Sequence, residues 1–338
     1  MDRRFILYGA PLLLLILAGA LLLSGVLADT GQVATGTFDG ILLSPDESST
    51  VYPVIDGDRI AWEEARVTGD SRIAVFTIGC ATATELSPTL RGQRFSPSIS
   101  GDRVVWQDKR NGNWDIYLCN LTTGIETPIC TDPAKQSRPV ISGDRIVWVD
   151  ERNEDQDIYL YDLSIGAERS ICVAPQAQWA PDIDGDWVVW EDNRDGLETA
   201  GDIYAYHLSN ETEQPVCVQK RGQWCPSVSG DRVVWQDFRS GKGFDIFLYN
   251  LTTGEEQAIC TDPARQWVPQ VSGDTVAWID QRNGNWDIYA VDLRTGIETP
   301  VCTQLEDQGW PKCDGGRIIW QDYRGGRHAV YAAPSPGS

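Results

Sequence analysis

Seven tryptophans divide this chain into units of nearly constant length. They stand at positions 62, 106, 148, 190, 235, 278 and 320, between 42 and 45 residues apart. A proline precedes each by nine residues, at 53, 97, 139, 181, 226, 269 and 311. Between proline and tryptophan lies a glycine turn, such as Asp56-Gly57-Asp58 or Ser100-Gly101-Asp102. Two markers held in register through seven copies define a repeat. A repeat of this period is one supersecondary unit that buries its apolar faces only by packing on its neighbours.

The third unit shows what each copy contains. Pro139-Val140-Ile141 reads as a first strand, and Ser142-Gly143-Asp144 as a tight hairpin turn in which glycine supplies positive φ. Arg145 to Asp150 reads as a second strand, Asp157 to Leu163 as a third and Glu168 to Cys172 as a fourth. The second strand is apolar on consecutive residues, the mark of a sheet covered on both faces. Four short strands buried on both sides and repeated seven times predict an all-β, seven-bladed β-propeller of four-stranded antiparallel blades.

The ends predict how it closes. After Trp320 the last unit has no fourth strand. In units 2 to 6 the fourth strand ends in a cysteine nine residues before the next proline (Cys130, Cys172, Cys217, Cys260 and Cys302), and Ser44 stands nine before Pro53. Residues 38–44 therefore hold the place of the missing strand, and their pairing with the C-terminal unit would remove two exposed edges. The propeller is expected over residues 38–333, with 29–37 as a linker and 334–338 as a tail.

Asp2-Arg3-Arg4 followed by an uncharged apolar run from Phe5 to Ala28 reads as an export signal. The run is also long enough to cross a bilayer as one N-terminal hydrophobic helix, so residues 1–28 are either a cleaved signal peptide or a membrane anchor through residues 5–28. Both readings place the repeats outside the cytoplasm, in the cell envelope or beyond. The formal charge of −21 argues against nucleic acid as a partner. The five slot cysteines lie on the outer strands of successive blades, on the order of 15 Å apart from three strand spacings of ~4.8 Å, too far for disulfides. They read as small buried hydrophobes, and unpaired thiols in an exported chain suggest an anoxic setting.

The run P-S-I-S-G-D-R-V-V-W-Q-D-K-R-N-G-N-W-D-I-Y at residues 97–117 resembles the TolB-like propeller repeats, and more closely those of archaeal cell-surface propeller proteins. The resemblance covers residues 38–332. It implies a secreted or envelope-attached binding or scaffold role. Units 1 and 7 depart most, with Arg72-Ile73-Ala74 and Ala329-Val330-Tyr331 where Asp-Ile-Tyr is the pattern.

Four sets of residues are candidates for chemistry. An acid and an arginine two apart recur in every unit, from Glu64/Arg66 and Asp108/Arg110 to Asp322/Arg324, and read as ion pairs tying neighbouring blades. The loops Asn111–Asp115 and Asn283–Asp287 are rich in oxygen, but their spacing is not that of a calcium loop. No cofactor or metal is expected, with calcium as the alternative there. Asn120, Asn210 and Asn250 are glycosylation acceptors by pattern, in turns that would face away from the aromatic set described next.

That set is Phe95, Trp179, Trp224 and Trp267, eleven residues before the repeat tryptophan, with Tyr52 and Trp310 ten before. They would rim the mouth of the central channel amid Gln178, Gln223, Gln266, Arg94, Arg138 and Arg265. Aromatic rings beside amides and guanidinium groups suit sugars or peptides, and rings wedged between blades are the alternative. No serine-hydrolase elbow, H-E-x-x-H motif or phosphate-binding loop occurs. No catalytic residue is named. The sequence thus points to a non-catalytic cell-surface propeller that binds protein or carbohydrate. A carbohydrate-active enzyme, working through channel carboxylates, and a structural envelope module are the alternatives.

Overall fold

A tryptophan indole is large and apolar except for one N–H, so burying it leaves that N–H in need of an acceptor. The computed structural model, which describes residues 40–44, 49–66, 69–86, 92–196 and 201–338, buries all seven repeat tryptophans to 0% exposure. The expected N-terminal helix, the linker and residues 38 and 39 lie outside the described residues. Each indole N–H donates to the carboxylate two residues later: Trp106 to Asp108 at 2.9 Å, Trp235 to Asp237 at 2.9 Å, Trp278 to Asp280 at 3.0 Å.

The chain forms seven four-stranded antiparallel sheets, and no helix occurs among the described residues. Blade 3 is typical, with strands Gln136–Ser142, Arg145–Asp150, Asp157–Asp162 and Ala167–Cys172 in that order from the centre outward. The innermost strand of each blade packs against that of the next, and Ser49–Asp56 of blade 1 against Gln308–Asp314 of blade 7, so the seven close into a ring. Apolar cores fill the spaces between blades. One joins Val105, Ile116, Leu118 and Ile129 of blade 2 to Ile141, Ile146 and Trp148 of blade 3.

The seventh sheet is completed by the N-terminal segment. Ile41 pairs with Ala332 and Leu42 with Tyr331, antiparallel. Ser44 sits in the cysteine slot, 5% exposed, and its hydroxyl accepts the Val330 N–H at 3.1 Å. Gly40 has φ +72°, and a side chain there would begin 2.6 Å from the Trp320 ring. In blade 1 the slot is held by buried Leu86, whose N–H donates to the Ile73 carbonyl. The C-terminal tail is docked rather than free. Pro334 ends the last strand, the Ser335 N–H donates to the Gly316 carbonyl, and the Gly337 carbonyl accepts from Arg294.

The acid–arginine pairs clamp strands within a blade rather than tying blades together. The Arg152 guanidinium spans Asp150 at 2.6 Å and Glu168 of the outer strand at 2.6 Å, and lies over the Tyr159 ring at 4.2 Å. Arg194, Arg239 and Arg282 repeat this with Glu213, Glu256 and Glu298. The reach to the preceding blade is through the slot thiol, 3.2 Å from Arg152. In blade 1 the sequence pairing is wrong: Glu64 is held by Arg72 of the third strand, and Arg66 by Glu85. All nine cysteines are unpaired, and burial pushes the slot thiols Cys130, Cys172, Cys217 and Cys260 up to about 12, which leaves them inert.

Gly40→Val should open the seam of the ring and lower the melting temperature by several degrees; an unchanged melt would show that the N-terminal strand does not carry closure. Asp237→Ala leaves a guanidinium and an indole N–H without their acceptor and should cost about 3–5 kcal/mol, measured by denaturant unfolding.

Candidate functional site

The innermost strands have one unpaired edge, facing the channel, and each carries an irregularity in the same place. The register with the second strand slips between Trp224 and Ser227, and at the equivalent point in all seven blades. The residue before each proline lies inside that slip. It has φ between 45° and 54° in every blade: Tyr52, Ser96, Arg138, Ala180, Cys225, Val268 and Trp310. Left-handed backbone is costly for residues with a Cβ, by roughly 1–2 kcal/mol each, and the α regions are disfavoured before proline. The bulge is held by neighbours. The Arg138 N–H donates to Gln107 Oε1 of the preceding blade at 3.0 Å, Val268 to Gln236 at 3.0 Å and Tyr52 to Gln321 at 3.3 Å.

These seven positions hold seven different residues, while the clamp residues recur from blade to blade. They also sense one another across the ring. Arg138 of blade 3 acts electrostatically on Tyr52 of blade 1, on Glu191 of blade 4 and on Cys225 of blade 5, and Lys312 of blade 7 acts on Cys225. Side chains on blades so far apart in order come within range only over the channel. The end at which they meet is the one where the second-to-third-strand loops emerge.

The six aromatics expected at this mouth fall into two sets. Tyr52 and Trp310 occupy the left-handed position, are 43% and 44% exposed, and meet edge to face at 5.0 Å. Phe95, Trp179, Trp224 and Trp267 lie one residue earlier, paired with the second strand and half-buried. Trp179 lies under the Arg138 guanidinium at 5.6 Å. Phe95 packs on Trp114 at 5.2 Å, Trp224 on Phe244 at 5.3 Å, and Phe244 bridges to Trp267, which packs on Trp286 at 5.1 Å. Trp267 and Trp286 also lean on the apolar core between blades 6 and 7, so Trp267 wedges between blades. The loop aromatics Trp114, Phe244 and Trp286 were not foreseen. Their signal was an aromatic directly before the Asp-Ile pair of units 2, 5 and 6.

The amides named beside them are structural. Gln178, Gln223 and Gln266 are fully buried, and their Nε2 groups donate to carbonyls of the preceding loop. Arg94 is buried on Asp108 at 3.0 Å, while Arg138 is exposed at the mouth. Burial pushes the Asp108 carboxyl up, but hydrogen bonds from Arg110 and Trp106 outweigh it and hold it below its ordinary value. The Asn111 and Asn283 amides donate to Asp115 and Asp287, and those of Asn113 and Asn285 to backbone carbonyls, so these loops spend their polar groups on themselves. Among the described residues no cluster of three or more His, Cys, Asp or Glu is placed to hold a metal. The glycosylation candidates Asn120 and Asn250 cap their own turns and donate their amide nitrogens to Asp102 and Asp231, while Asn210 is exposed.

The residues that sequence reasoning missed stand directly after the repeat tryptophans. That column reads Glu63, Gln107, Val149, Glu191, Gln236, Ile279 and Gln321. The glutamines serve the bulge. Glu191 does the same for Cys225, and burial pushes its carboxyl up to about 8. Glu63 is 6% exposed, its Oε2 has no hydrogen-bond partner, and burial pushes its carboxyl up to about 8 as well. Deeper in the channel, burial pushes the Asp182 carboxyl up. Lys312, across the ring, and the Val228 N–H at 2.9 Å pull the other way. By surface area Glu191 and Asp182 are only half-buried, because the channel admits water. They are still enclosed by protein, and that enclosure sets their proton affinity.

No protein-family model matches the sequence, and no curated protein matches it. Solved structures do. The β-propeller domain of the trilobed protease from Pyrococcus furiosus, described as having an open velcro topology, superposes with a TM-score of 0.67 at 13% identity, over 86% of this chain and 94% of that one. An oligogalacturonate lyase in complex with manganese gives 0.68 at 16% identity, over 89% and 96%. TolB from Acinetobacter baumannii gives 0.54 at 15% identity, over 76% and 67%. This chain spans about half the length of two similar peptidases, 54% and 51%. Likeness at such identity shows the seven-bladed fold, TolB among its neighbours.

The raised carboxyls of Glu63 and Glu191 give a pH dependence. The native state holds protons on both that the unfolded chain, with carboxyls near 4.5, releases. Their contribution to stability is therefore present below about 4.5 and is lost as pH rises through about 8. Wild type should lose melting temperature between pH 5 and pH 8.5, and the double variant Glu63→Gln/Glu191→Gln should lose less. Equal slopes would remove both groups from the account.

Proposed function

We propose that this propeller is a non-catalytic binding module that holds a carbohydrate or protein partner at the channel mouth. The observation that supports it is the column before proline. It carries seven different side chains on strained backbone, at the end of the channel, within a repeat whose clamp residues recur from blade to blade. Strain kept at a ring of dissimilar residues suits a surface built for recognition. Tyr52 and Trp310 offer open ring faces and edges, and exposed Arg138 offers donors beside them. An outward-facing cell-surface location, set by residues 1–28, is part of this reading.

One observation favours a second reading, a carbohydrate-active enzyme. A carboxyl that keeps its proton near pH 7 is what general-acid cleavage of a glycosidic bond needs, and Glu63 and Glu191 are both of that kind.

A glycan array and a surface-protein pull-down with wild type and Trp310→Ala separate the two. Binding that falls at least tenfold in Trp310→Ala supports the module. Release of reducing ends from a polysaccharide, abolished in Glu63→Gln, supports the enzyme. Binding unaffected by Trp310→Ala would move the site away from the mouth.

A further inference from the structure

Cations are the scarcer charge in this chain, 28 Lys and Arg against 49 Asp and Glu, and clamps such as Arg152 and Arg239 take up many of them. Four stand apart. Lys220, Arg221, Lys242 and Arg265 are exposed, and none of them pairs with a carboxylate among the described residues. They lie on three loops that the backbone ties together on the face of the channel mouth. The Phe238 N–H donates to the Gly222 carbonyl at 2.9 Å and the Gln266 N–H to the Phe244 carbonyl at 3.0 Å, which joins residues 218–222, 238–244 and 261–265. Gly241 has φ +70°, and the Arg221 guanidinium lies where a side chain at Gly241 would begin, which sets it beside Lys242. A side chain at Gly243 would begin 3.1 Å from the Ala264 carbonyl oxygen, next to Arg265. The one acid of these loops, Asp262, directs its carboxylate to the Ala264 N–H at 2.9 Å. Like charges gathered without counter-charges repel one another, so the cluster works against the scaffold and calls for an anion from outside.

The residues among these cations say what kind. Trp224, Phe244 and Trp267, all half-buried, form a row with ring centroids 5.3 and 5.6 Å apart, and Phe238 joins Phe244 at 5.1 Å. A guanidinium takes a carboxylate in a two-pronged geometry, and an aromatic surface takes an apolar ring face. Cations spread over three loops ask for charges at intervals, and the rings among them ask for flat apolar faces between those charges. A polymer of uronate sugars is built in that way, with a carboxylate on each ring. An acidic peptide has the charges without the faces. Nucleic acid has both, and the export signal read in residues 1–28 sets it aside by placing the mouth outside the cell. We infer that this side of the mouth takes an acidic polysaccharide, with carboxylates on Arg221, Lys242 and Arg265 and sugar rings against the aromatic row. This rests on the mouth of a binding module being a ligand site and names the class of carbohydrate that it holds.

Isothermal titration of the full chain tests this with tetragalacturonate, its methyl ester, tetraglutamate and deca-thymidylate. Tetragalacturonate should bind, less tightly as salt is raised, and its uncharged ester should bind roughly tenfold more weakly. Arg221→Ala/Lys242→Ala should lose a similar factor. Both side chains are exposed, so this variant should melt no lower than wild type, which keeps a loss of binding interpretable. Lys109→Ala/Lys135→Ala removes the same charge from the loops around blade 2 and should leave binding unchanged. An equal loss there would make the effect one of bulk charge and overturn the proposal. So would no binding of tetragalacturonate, equal binding of acid and ester, or equal binding by wild type and Arg221→Ala/Lys242→Ala. Tighter binding of tetraglutamate or of deca-thymidylate would overturn it in favour of an acidic protein or of nucleic acid. If tetragalacturonate does not bind while a Trp310-dependent partner is found on the array, the uronate site falls and the mouth stands. If neither is found, both fall.

Discussion

Seven indole N–H groups must be satisfied in places that water does not reach. A charged acceptor solves that problem and creates another, because a carboxylate at 0% exposure needs compensation of its own. In Asp150 it is compensated by the Trp148 N–H, the Arg152 N–H and the Arg152 guanidinium. The guanidinium in turn needs an anion and a flat surface, and Glu168 and the Tyr159 ring provide them. Each requirement fixes the next residue at a set distance along the chain. The repeat in the sequence is the record of that sequence of requirements. Blade 1 shows that the chemistry matters more than the spacing, since Glu64 replaces the aspartate and Arg72 of another strand supplies the cation.

Closing the ring leaves one set of backbone groups over, the channel edge of each innermost strand. An unpaired edge is a liability, and here side chains of the preceding blade cover it. Ser98 accepts the Ile141 N–H at 3.2 Å, Asp182 the Val228 N–H at 2.9 Å, and Ser100 the Gly143 N–H at 3.0 Å. Most polar residues along the channel thus have a structural task. A functional residue there is recognised by failing to perform it, not by being polar.

The repeated part of the structure was legible because each copy is an independent witness to the same contacts. Strand order, blade count and the N-terminal seam all follow from seven aligned units. The mouth was less legible for a physical reason. The bulge adds a residue to the innermost strand, so neighbouring positions serve different ends: Trp267 wedges between blades, while Val268 beside it turns on left-handed backbone. Counting back from the repeat tryptophan set Tyr52 and Trp310 one residue apart from the other four, and only the slip in register gives that single residue its meaning. Glu63 and Glu191 were hidden by where they stand. Their column lies inside a buried strand, where an acid in place of glutamine looks like an ordinary polar exchange. Leu86 escaped because blade 1 has a longer connection, which moves the slot off its regular distance from the proline.

Scaffold and site are thus carried by different columns of one repeat. The clamp residues are nearly invariant from blade to blade and hold the sheets by buried polar contacts that tolerate few substitutes. The mouth residues can vary, because the backbone geometry there is imposed by the slip in register and by the neighbouring blade's side chain. A valine at φ 52° is among the least suitable residues for that backbone, and the fold accepts Val268 there all the same. A scaffold that imposes conformation regardless of the residue can vary its ligand surface one blade at a time. Seven blades then offer seven separate choices around a single opening. Tyr52, Arg138 and Trp310 are one such set, and none of them takes part in the clamps that hold the ring.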